Sequence, residues 1–460
     1  MSAQTKLTDN KMGVMPLTKL IINMALPMII AMLVQALYNV VDSIYVSRIS
    51  ENAVTALSLA FPIQNIMIGF ATGIGVGVNA LLSKSLGEGN QKTANRAAGN
   101  GFFLVAVVTV IFALLGIFGT RPFFGMQNVS QETADFGVQY TRICCIFAAG
   151  IFVEVLGERL LQASGRTIYT LITQGTGAVL NIILDPLFIF GAPWLGIPAM
   201  GIAGAAVATV IGQWVAAILA LIFNFKCNPE VQIRLRDLIP SKRVVGTILT
   251  VGVPSIIMVA IGSVMNFSMN QILLGFENIG ETASGVFGIY FKLQSFFFMP
   301  LFGLNNGTVS IVAYNYGARK PARIIGTLKR TCTIALCIMV VGLVIFHAFP
   351  DLLLGIFDPT EEFLRIGRSA LRLISLAFPM AAIGIALTAG FQALGNGSYS
   401  TIISLCRQMV VLLPAAYLLS LSGEVTSVWW AFPIAETASL GVTMLFFLRI
   451  YKRKIKPLKA

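Results

Sequence analysis

The sequence predicts an all-α polytopic membrane protein, with twelve transmembrane helices arranged as two pseudo-symmetric lobes of six. Three observations carry that prediction. Of the 460 residues, 56% are hydrophobic and only 11% are charged, whereas a soluble domain holds about 25% charged residues. Apolar runs of about 20 residues, the length of a bilayer-crossing helix, recur from one end of the chain to the other. Markers in the first half return in the second at a near-constant spacing. No alternating ten-residue strand pattern of a membrane barrel appears.

The apolar runs are read as spans at 20–47, 54–82, 99–118, 138–163, 167–191, 201–224, 245–275, 284–313, 330–349, 369–394, 398–421 and 428–450. The first holds Pro27 and, in "LVQALYNVVDSIYVSR", the polar residues Gln35, Tyr38, Asn39 and Asp42. The second holds Pro62 and "GIGVGVN", and runs toward Gly87 and a basic loop. Its Gly73, Gly75 and Gly77 sit mid-span, without the strand–turn–helix unit of a dinucleotide loop, so they serve close helix packing. The fourth carries Glu154 and Glu158, the fifth Asn181 and Asp185, and the sixth Thr209. The seventh holds Pro254 and Asn266; the eighth carries Lys292 and runs toward Gly317 and another basic loop. The ninth has the only histidine, His347, near its end, where a satisfied surface role is expected. The tenth contains Pro379 and Gln392, and the twelfth Pro433 and Glu436, the last read as structural. Pro27, Pro62, Pro254 and Pro379 bend or hinge their helices.

An even number of spans puts both termini on one side, and Lys/Arg placement says which. With the N-terminus cytoplasmic and charges within the runs assigned to the adjoining loops, the tails and even-numbered loops hold 25 Lys and Arg, the opposite loops six, and Lys292 alone is left inside a span. The expected location is therefore the cell (inner, cytoplasmic) membrane, multi-pass, with both termini cytoplasmic. The polar first 19 residues give no sign of a cleavable signal. The net charge of +13 punctuates apolar runs and forms no patch, which argues against nucleic acid. The C-terminal "LRIYKRKIKPLK" suits anionic lipid. The six cysteines have neither metal-type spacing nor a disulfide framework. "Asn128-Val-Ser" matches a glycosylation acceptor that is too common to use.

The chain repeats itself. Gln162 and Gln392, Gly165 and Gly395, and Gly87 and Gly317 are each 230 residues apart; Pro27 and Pro254, and Asn39 and Asn266, are each 227 apart. The reading is a first lobe over 1–225, a cytoplasmic linker over 226–243 and a second lobe over 244–460. Six spans per lobe is even, so both lobes enter the membrane the same way, related by an axis along the membrane normal. Two such bundles leave a cleft, and rocking one against the other opens it to alternate sides, as in secondary transporters.

Gln35, Tyr38, Asn39 and Asp42 step by three, one and three residues, which makes one polar helix face looking into the bundle. Asn181 and Asp185, and Glu154 and Glu158, are each four apart and share a face likewise. A central carboxylate costs roughly 2.5–3.5 kcal/mol on insertion scales. It pairs with a cation, binds a metal ion, or keeps a proton until water reaches it. No Lys or Arg is expected at matching depth in the first six spans, so H⁺ or Na⁺ binding is the economical reading. Asp42, Asp185, Asn181 and Thr209 are the candidate cation-coupling residues, with Asp42 and Asp185 the candidate Na⁺ ligands. Polar glue between helices is the structural alternative for Asp42. Glu158, next to Arg159, reads equally as a local structural pair near the interface. The candidate cavity and substrate residues are Gln35, Tyr38, Asn39 and Glu154 in the first half, and Asn266 and Lys292 in the second. Met269 stands where a second-half counterpart of Asp42 would fall. Lys292 sits inside a run, where it is buried near neutral, pairs with a carboxylate across the cleft, contacts substrate, or snorkels.

"MALPMIIAMLVQALYNVVDSIYVSRI", "LGEGN", "ERLLQASGRT", "NIILDPLFIF" and "GIAGAAVATVIGQ" together resemble the multidrug and toxic compound extrusion (MATE) family, and the resemblance runs over essentially the whole chain. It implies two six-helix lobes in a V around a central cavity, and export of organic, often cationic, compounds in exchange for H⁺ or Na⁺. By the same resemblance, Asp42 matches the first-helix aspartate used for cation coupling, and Gln35, Tyr38 and Asn39 match its cavity neighbours. Asn181 and Asp185 match the "N-x-x-x-D-P" pair, and Thr209 matches the threonine of "GAAxAT". The chain departs from the branch with acidic residues in the seventh and tenth helices. The expected partners are small organic molecules and lipid, with no nucleic acid, no cofactor beyond the coupling ion, and a monomeric chain. A lipid-linked oligosaccharide flippase shares the two-lobe plan but calls for a strongly basic cavity. An intramembrane aspartyl protease with Asp42 and Asp185 as its dyad calls for Gly-x-Gly-Asp, and Asp185 follows Leu184. No enzymatic activity is expected.

Overall fold

Four of the spanning helices begin on a side-chain cap, while Pro27, Pro62, Pro186, Pro254 and Pro300 lie inside unbroken helices. The structure is a computed structural model describing residues 10–127, 129–357 and 360–459; Asn128 and the side chains of Asn39, Val40, Ser43, Ser47, Glu51 and Lys459 lie outside the described residues. The first half comprises α1 (Leu17–Ser47), α2 (Glu51–Gly87), α3 (Gln91–Gly125), α4 in two pieces (Gln131–Ile146 and Ala149–Ala163), α5 (Thr167–Ile189) and α6 (Ile202–Cys227). The second comprises α7 (Lys242–Leu274), α8 (Gly280–Gly317), α9 (Pro321–Ala348), α10 in two pieces (Glu361–Ser375 and Phe378–Ala393), α11 (Gly397–Ser420) and α12 (Ala431–Ile450). Ser50, Asn90, Ser130 and Thr360 each accept a backbone N–H of the first turn that follows them.

Among the described residues ten single helices are long and apolar enough to cross a bilayer, and α10, bent by 47°, makes an eleventh. The twelfth expected span is α4. Its pieces start and end 230 residues before those of α10, at Gln131 against Glu361 and Ala163 against Ala393. Arg142, Glu154, Glu158 and Arg159 dilute its hydropathy. Gly165 and Gly395 turn the chain after α4 and α10 with φ of +86° and +72°, a left-handed backbone that glycine alone adopts without strain. The chain is a multi-pass membrane protein.

Several basic residues counted as loop charges prove to be helical, Arg142, Arg159, Arg372 and Arg407 among them. Arg159 is buried in the second piece of α4, where its Nη1 donates to Gln162 Oε1 (3.0 Å). Arg407 lies within α11. Lys292 is thus not alone as an in-span cation, though the charge bias survives these removals.

Between the halves, α2 packs along α7, and α1 and α2 pack along α8. Each half lends its opening turns to the other. Leu20, Ile21 and Met24 of α1 sit in the second-half core, while Val244 and Ile248 of α7 sit in the first-half core. Ile21 and Ile248 are themselves 227 residues apart.

The closest backbone approaches obey the same symmetry. A Cβ on Gly87 would run into the Tyr314 carbonyl, and one on Gly317 into the Lys84 carbonyl. Lys84 and Tyr314, like Gly87 and Gly317, are 230 apart, so the C-terminal ends of α2 and α8 cross about a local two-fold axis. A Cβ on Gly73 would lie 2.5 Å from Ile256 Cγ1, and one on Gly303 2.8 Å from the Ile29 nitrogen, a second reciprocal pair. Small residues at such crossings let helix backbones approach closely in lipid. Buried Ser310 adds a hydrogen bond across the seam to Asn79 Oδ1 (3.0 Å). All these contacts lie toward the end that bears the termini, and that end is closed.

A one-turn helix, Lys11–Val14, ties the closed end together. From the first half and linker, Asn10 Nδ2 donates to Ser164 O (3.2 Å) and Glu230 Oε2 (2.7 Å). From the second half, Asn315 Nδ2 donates to Met12 O (3.0 Å), Lys320 Nζ to Gly13 O (3.0 Å), and Arg323 Nη2 to Met12 O (3.0 Å) and Met15 O (2.8 Å). Burial holds the Lys11 ammonium below its ordinary range, with Arg166 adding to the effect, and burial holds the Glu230 carboxyl above its own. Hydrogen bonds to a charged donor are worth about 1.5–3 kcal/mol each. Arg323→Ala is therefore expected to free this segment, and the rate of tryptic cleavage after Lys11 should rise several-fold over that of the unsubstituted protein.

Candidate functional site

The polar face of α1 meets α5. Gln174 Nε2 of α5 donates to Gln35 Oε1 of α1 (3.0 Å), about two turns from the acidic residues. Further along, the Asp42 carboxyl of α1 comes within hydrogen-bonding reach of the Asp185 carboxyl of α5. Asp185 is fully buried, and the Asp42 Oδ1 atom is buried with no hydrogen-bond partner among the described residues. Two carboxyls in hydrogen-bonding contact need one hydrogen, or one cation, between them.

Asn181, one turn before Asp185, closes the group. In the amide orientation that satisfies both neighbours, its nitrogen donates to Asp185 Oδ2 (3.2 Å), and its oxygen accepts from the Thr209 N–H (3.1 Å) and hydroxyl (3.2 Å) of α6. Asp42, Asp185, Asn181 and Thr209 are thus brought together by three helices. Small residues allow α5 and α6 to meet: a Cβ on Gly212 would lie 2.8 Å from the Gly177 carbonyl. Among the described residues no Lys or Arg pairs with either carboxyl. Among the described residues no three His, Cys, Asp or Glu side chains converge as a multivalent metal site would require. The oxygens present are of the kind that hold a proton or a small hard cation.

Tyr38 lies within electrostatic reach of Asp42, Glu154 and Asp185, so the phenol and Glu154 border the same region. The side chain of Asn39 lies outside the described residues. Glu158 does not pair with Arg159 at an interface, as the sequence suggested. It is buried and accepts from the Thr173 hydroxyl (3.0 Å), while Arg159 turns to Gln162. Adjacent helical residues point about 100° apart, which is why sequence neighbours parted here.

The second half is arranged otherwise. The Asn266 backbone carbonyl accepts from Asn270 Nδ2 (3.1 Å), and the Asn266 side chain makes no hydrogen bond among the described residues. Lys292 is exposed and forms no ion pair among the described residues, so neither burial nor a cross-cleft carboxylate accounts for it. Glu436 of α12 pairs with Arg407 of α11, Nη1 to Oε1 at 3.1 Å. Residue-by-residue reading missed Gln174, whose signal was its place, two turns before Asn181 on the α5 face. It also missed Arg407, hidden by its count as a loop charge.

The MatE family model matches the chain twice, over residues 27–187 and 254–418. The chain is 26% identical to the multidrug export protein MepA of Staphylococcus saprophyticus over 422 residues, covering 92% of this chain and 91% of that protein. It is 24% identical to MepA of Staphylococcus aureus over 431 residues, covering 94% and 93%. Among solved structures it is similar to an outward-facing conformation of a multidrug resistance MATE family transporter of the MOP superfamily, with TM-score 0.88, 26% identity and 96% of each chain covered. A MOP superfamily transporter from Pyrococcus furiosus, described as having a binding pocket of reverse polarity, superposes equally well, with TM-score 0.88, 26% identity and 96% of each chain covered.

Proposed function

Taking as premise that this chain belongs to the MatE family of MATE transporters, we propose that it is a secondary antiporter exporting organic, cationic or amphipathic molecules in exchange for H⁺ or Na⁺. The relatives are multidrug export proteins. The observation that carries the reading is the contact between Asp42 and Asp185 in the membrane interior, with no basic partner beside them.

In a low-dielectric bundle two facing carboxylates repel strongly, whereas one cation between them removes most of the cost. A proton suits the direct carboxyl-to-carboxyl contact; Na⁺ would draw on the same oxygens with Asn181 and Thr209. Loss of the ion leaves negative charge that favours a cationic substrate, and return of the ion displaces it. Coupling needs the halves to tilt so that the site faces one side at a time. With the Lys/Arg bias placing the termini in the cytoplasm, the closed end is cytoplasmic and the conformation is outward-facing, in keeping with the similar solved structure. The acidic first half argues against a flippase for pyrophosphate-linked sugars.

The test is uptake of a fluorescent organic cation into proteoliposomes under proton and sodium gradients imposed separately. One gradient should drive uptake, and uptake driven by neither overturns the reading. Asp185→Asn is expected to lower the driven rate by about tenfold, the effect of losing one charge-assisted hydrogen bond, and to shift its pH or Na⁺ dependence. An unchanged profile counts against a shared site.

A further inference from the structure

Met269 and Ala415 stand where the second half would repeat Asp42 and Asp185. In place of an acidic pair, this half holds a guanidinium. Arg407 lies in a π-helical stretch of α11, Cys406–Leu412; such distortions recur at functional sites. It is ten residues from the start of α11 at Gly397 and 13 from its end at Ser420, about 15 Å along the helix at 1.5 Å per residue and so near the middle of the span.

Its partner is Glu436, held by a single hydrogen bond of 3.1 Å, with the two side chains 26% and 15% exposed. Nε and Nη2 have no partner among the described residues. An ion pair serving only to fasten two helices would be expected to use the guanidinium fork fully, since each charge costs roughly 2.5–3.5 kcal/mol at this depth. Gln408 lies beside it, 6% exposed. Its nitrogen donates to Ser404 Oγ (2.9 Å), and its Oε1 is unpartnered and faces Gly262 of α7. Tyr290 of α8 lies within electrostatic reach of Glu436. Residues of α7, α8, α11 and α12 therefore converge on the interior of the second bundle.

We propose that Arg407 receives an anionic group, a carboxylate, on the transported molecule, with Glu436 the resident counter-ion that it displaces. The planar fork suits a carboxylate, and the displaced Glu436 carboxyl takes up a proton from solvent, so that the bundle's charge stays balanced. The inference rests on the transporter reading and extends it. The acidic pair of the first half takes the cationic end of a substrate, Arg407 takes the anionic end, and molecules bearing both are favoured over simple cations.

The experiment compares two dyes in proteoliposomes: a rhodamine methyl ester, which is a monocation, and the same rhodamine as its free carboxylic acid. Arg407→Gln is expected to raise KM for the acid by about tenfold while changing KM for the ester by less than about twofold, the loss of one charge-assisted hydrogen bond. Arg407→Lys, which keeps the charge without the fork and guards against a folding defect, should raise KM for the acid several-fold. Glu436→Gln, which frees the guanidinium, should lower it. Equal changes for the two dyes, or none, overturn the proposal. If the unsubstituted protein moves neither dye under any ion gradient, the transporter reading itself fails; if it moves the ester alike in all variants with no discrimination of the acid, only the Arg407 assignment fails.

Discussion

Asp42→Asn is expected to reduce gradient-driven export to the level of protein-free vesicles while the protein still inserts and folds. The amide keeps the shape of the side chain and its ability to hydrogen-bond Asp185, but it carries neither a transferable proton nor the charge to hold Na⁺. The buried Oδ1, without a partner among the described residues, is the atom whose chemistry changes most. Stability should hold or rise, because a carboxylate in mid-membrane costs roughly 2.5–3.5 kcal/mol on insertion scales and an amide costs less. A more stable, inactive variant is the signature of a group retained for function at a cost in stability. The check is paired: thermal unfolding in detergent, and uptake under each gradient. Full uptake with unaltered ion dependence would remove Asp42 from the coupling mechanism. A collapse of folding together with uptake would instead favour its role as interhelical glue.

Much of this was legible before any coordinates, for reasons particular residues make plain. The three-one-three spacing of Gln35, Tyr38, Asn39 and Asp42 is helical arithmetic, and α1 does turn that face to α5. Asn181 and Asp185 announced themselves in the same way. The pairs Gly87 with Gly317 and Gly165 with Gly395 were visible as repeats, because the repeated backbone geometry admits no other residue there. What stayed hidden depended on rotation and packing. Spacing cannot say that Glu158 looks to Thr173 while Arg159 looks to Gln162. The span read at 398–421 already enclosed Arg407, but spacing cannot say that Glu436 of the next helix is its partner. Nor did the sequence betray that the opening turns of α1 and α7 exchange cores, since apolar residues are indifferent to which apolar core takes them.

Gly87→Val and Gly317→Val are each expected to prop open the terminus-bearing end, and to do so alike. In the closed arrangement each new side chain is driven into the opposite carbonyl, Tyr314 in one case and Lys84 in the other. Backbone cannot swing aside as a flexible side chain does, so the overlap is relieved only by separating α2 from α8. Overpacking of this kind typically costs about 1–3 kcal/mol, enough to shift a two-state equilibrium by roughly five- to 150-fold. The open alternative, in which these helix ends part, carries no such cost. A cysteine placed at Ser310, which is buried at the seam in the closed form, reports the shift. In an otherwise cysteine-free background it should react slowly with a membrane-impermeant thiol reagent, and rapidly once either valine is present. Because the two glycines are related by the local two-fold axis, the two single variants should agree with each other closely. If Gly87→Val exposes position 310 and Gly317→Val does not, the reciprocal crossing is wrong. If neither does, this seam is not the gate.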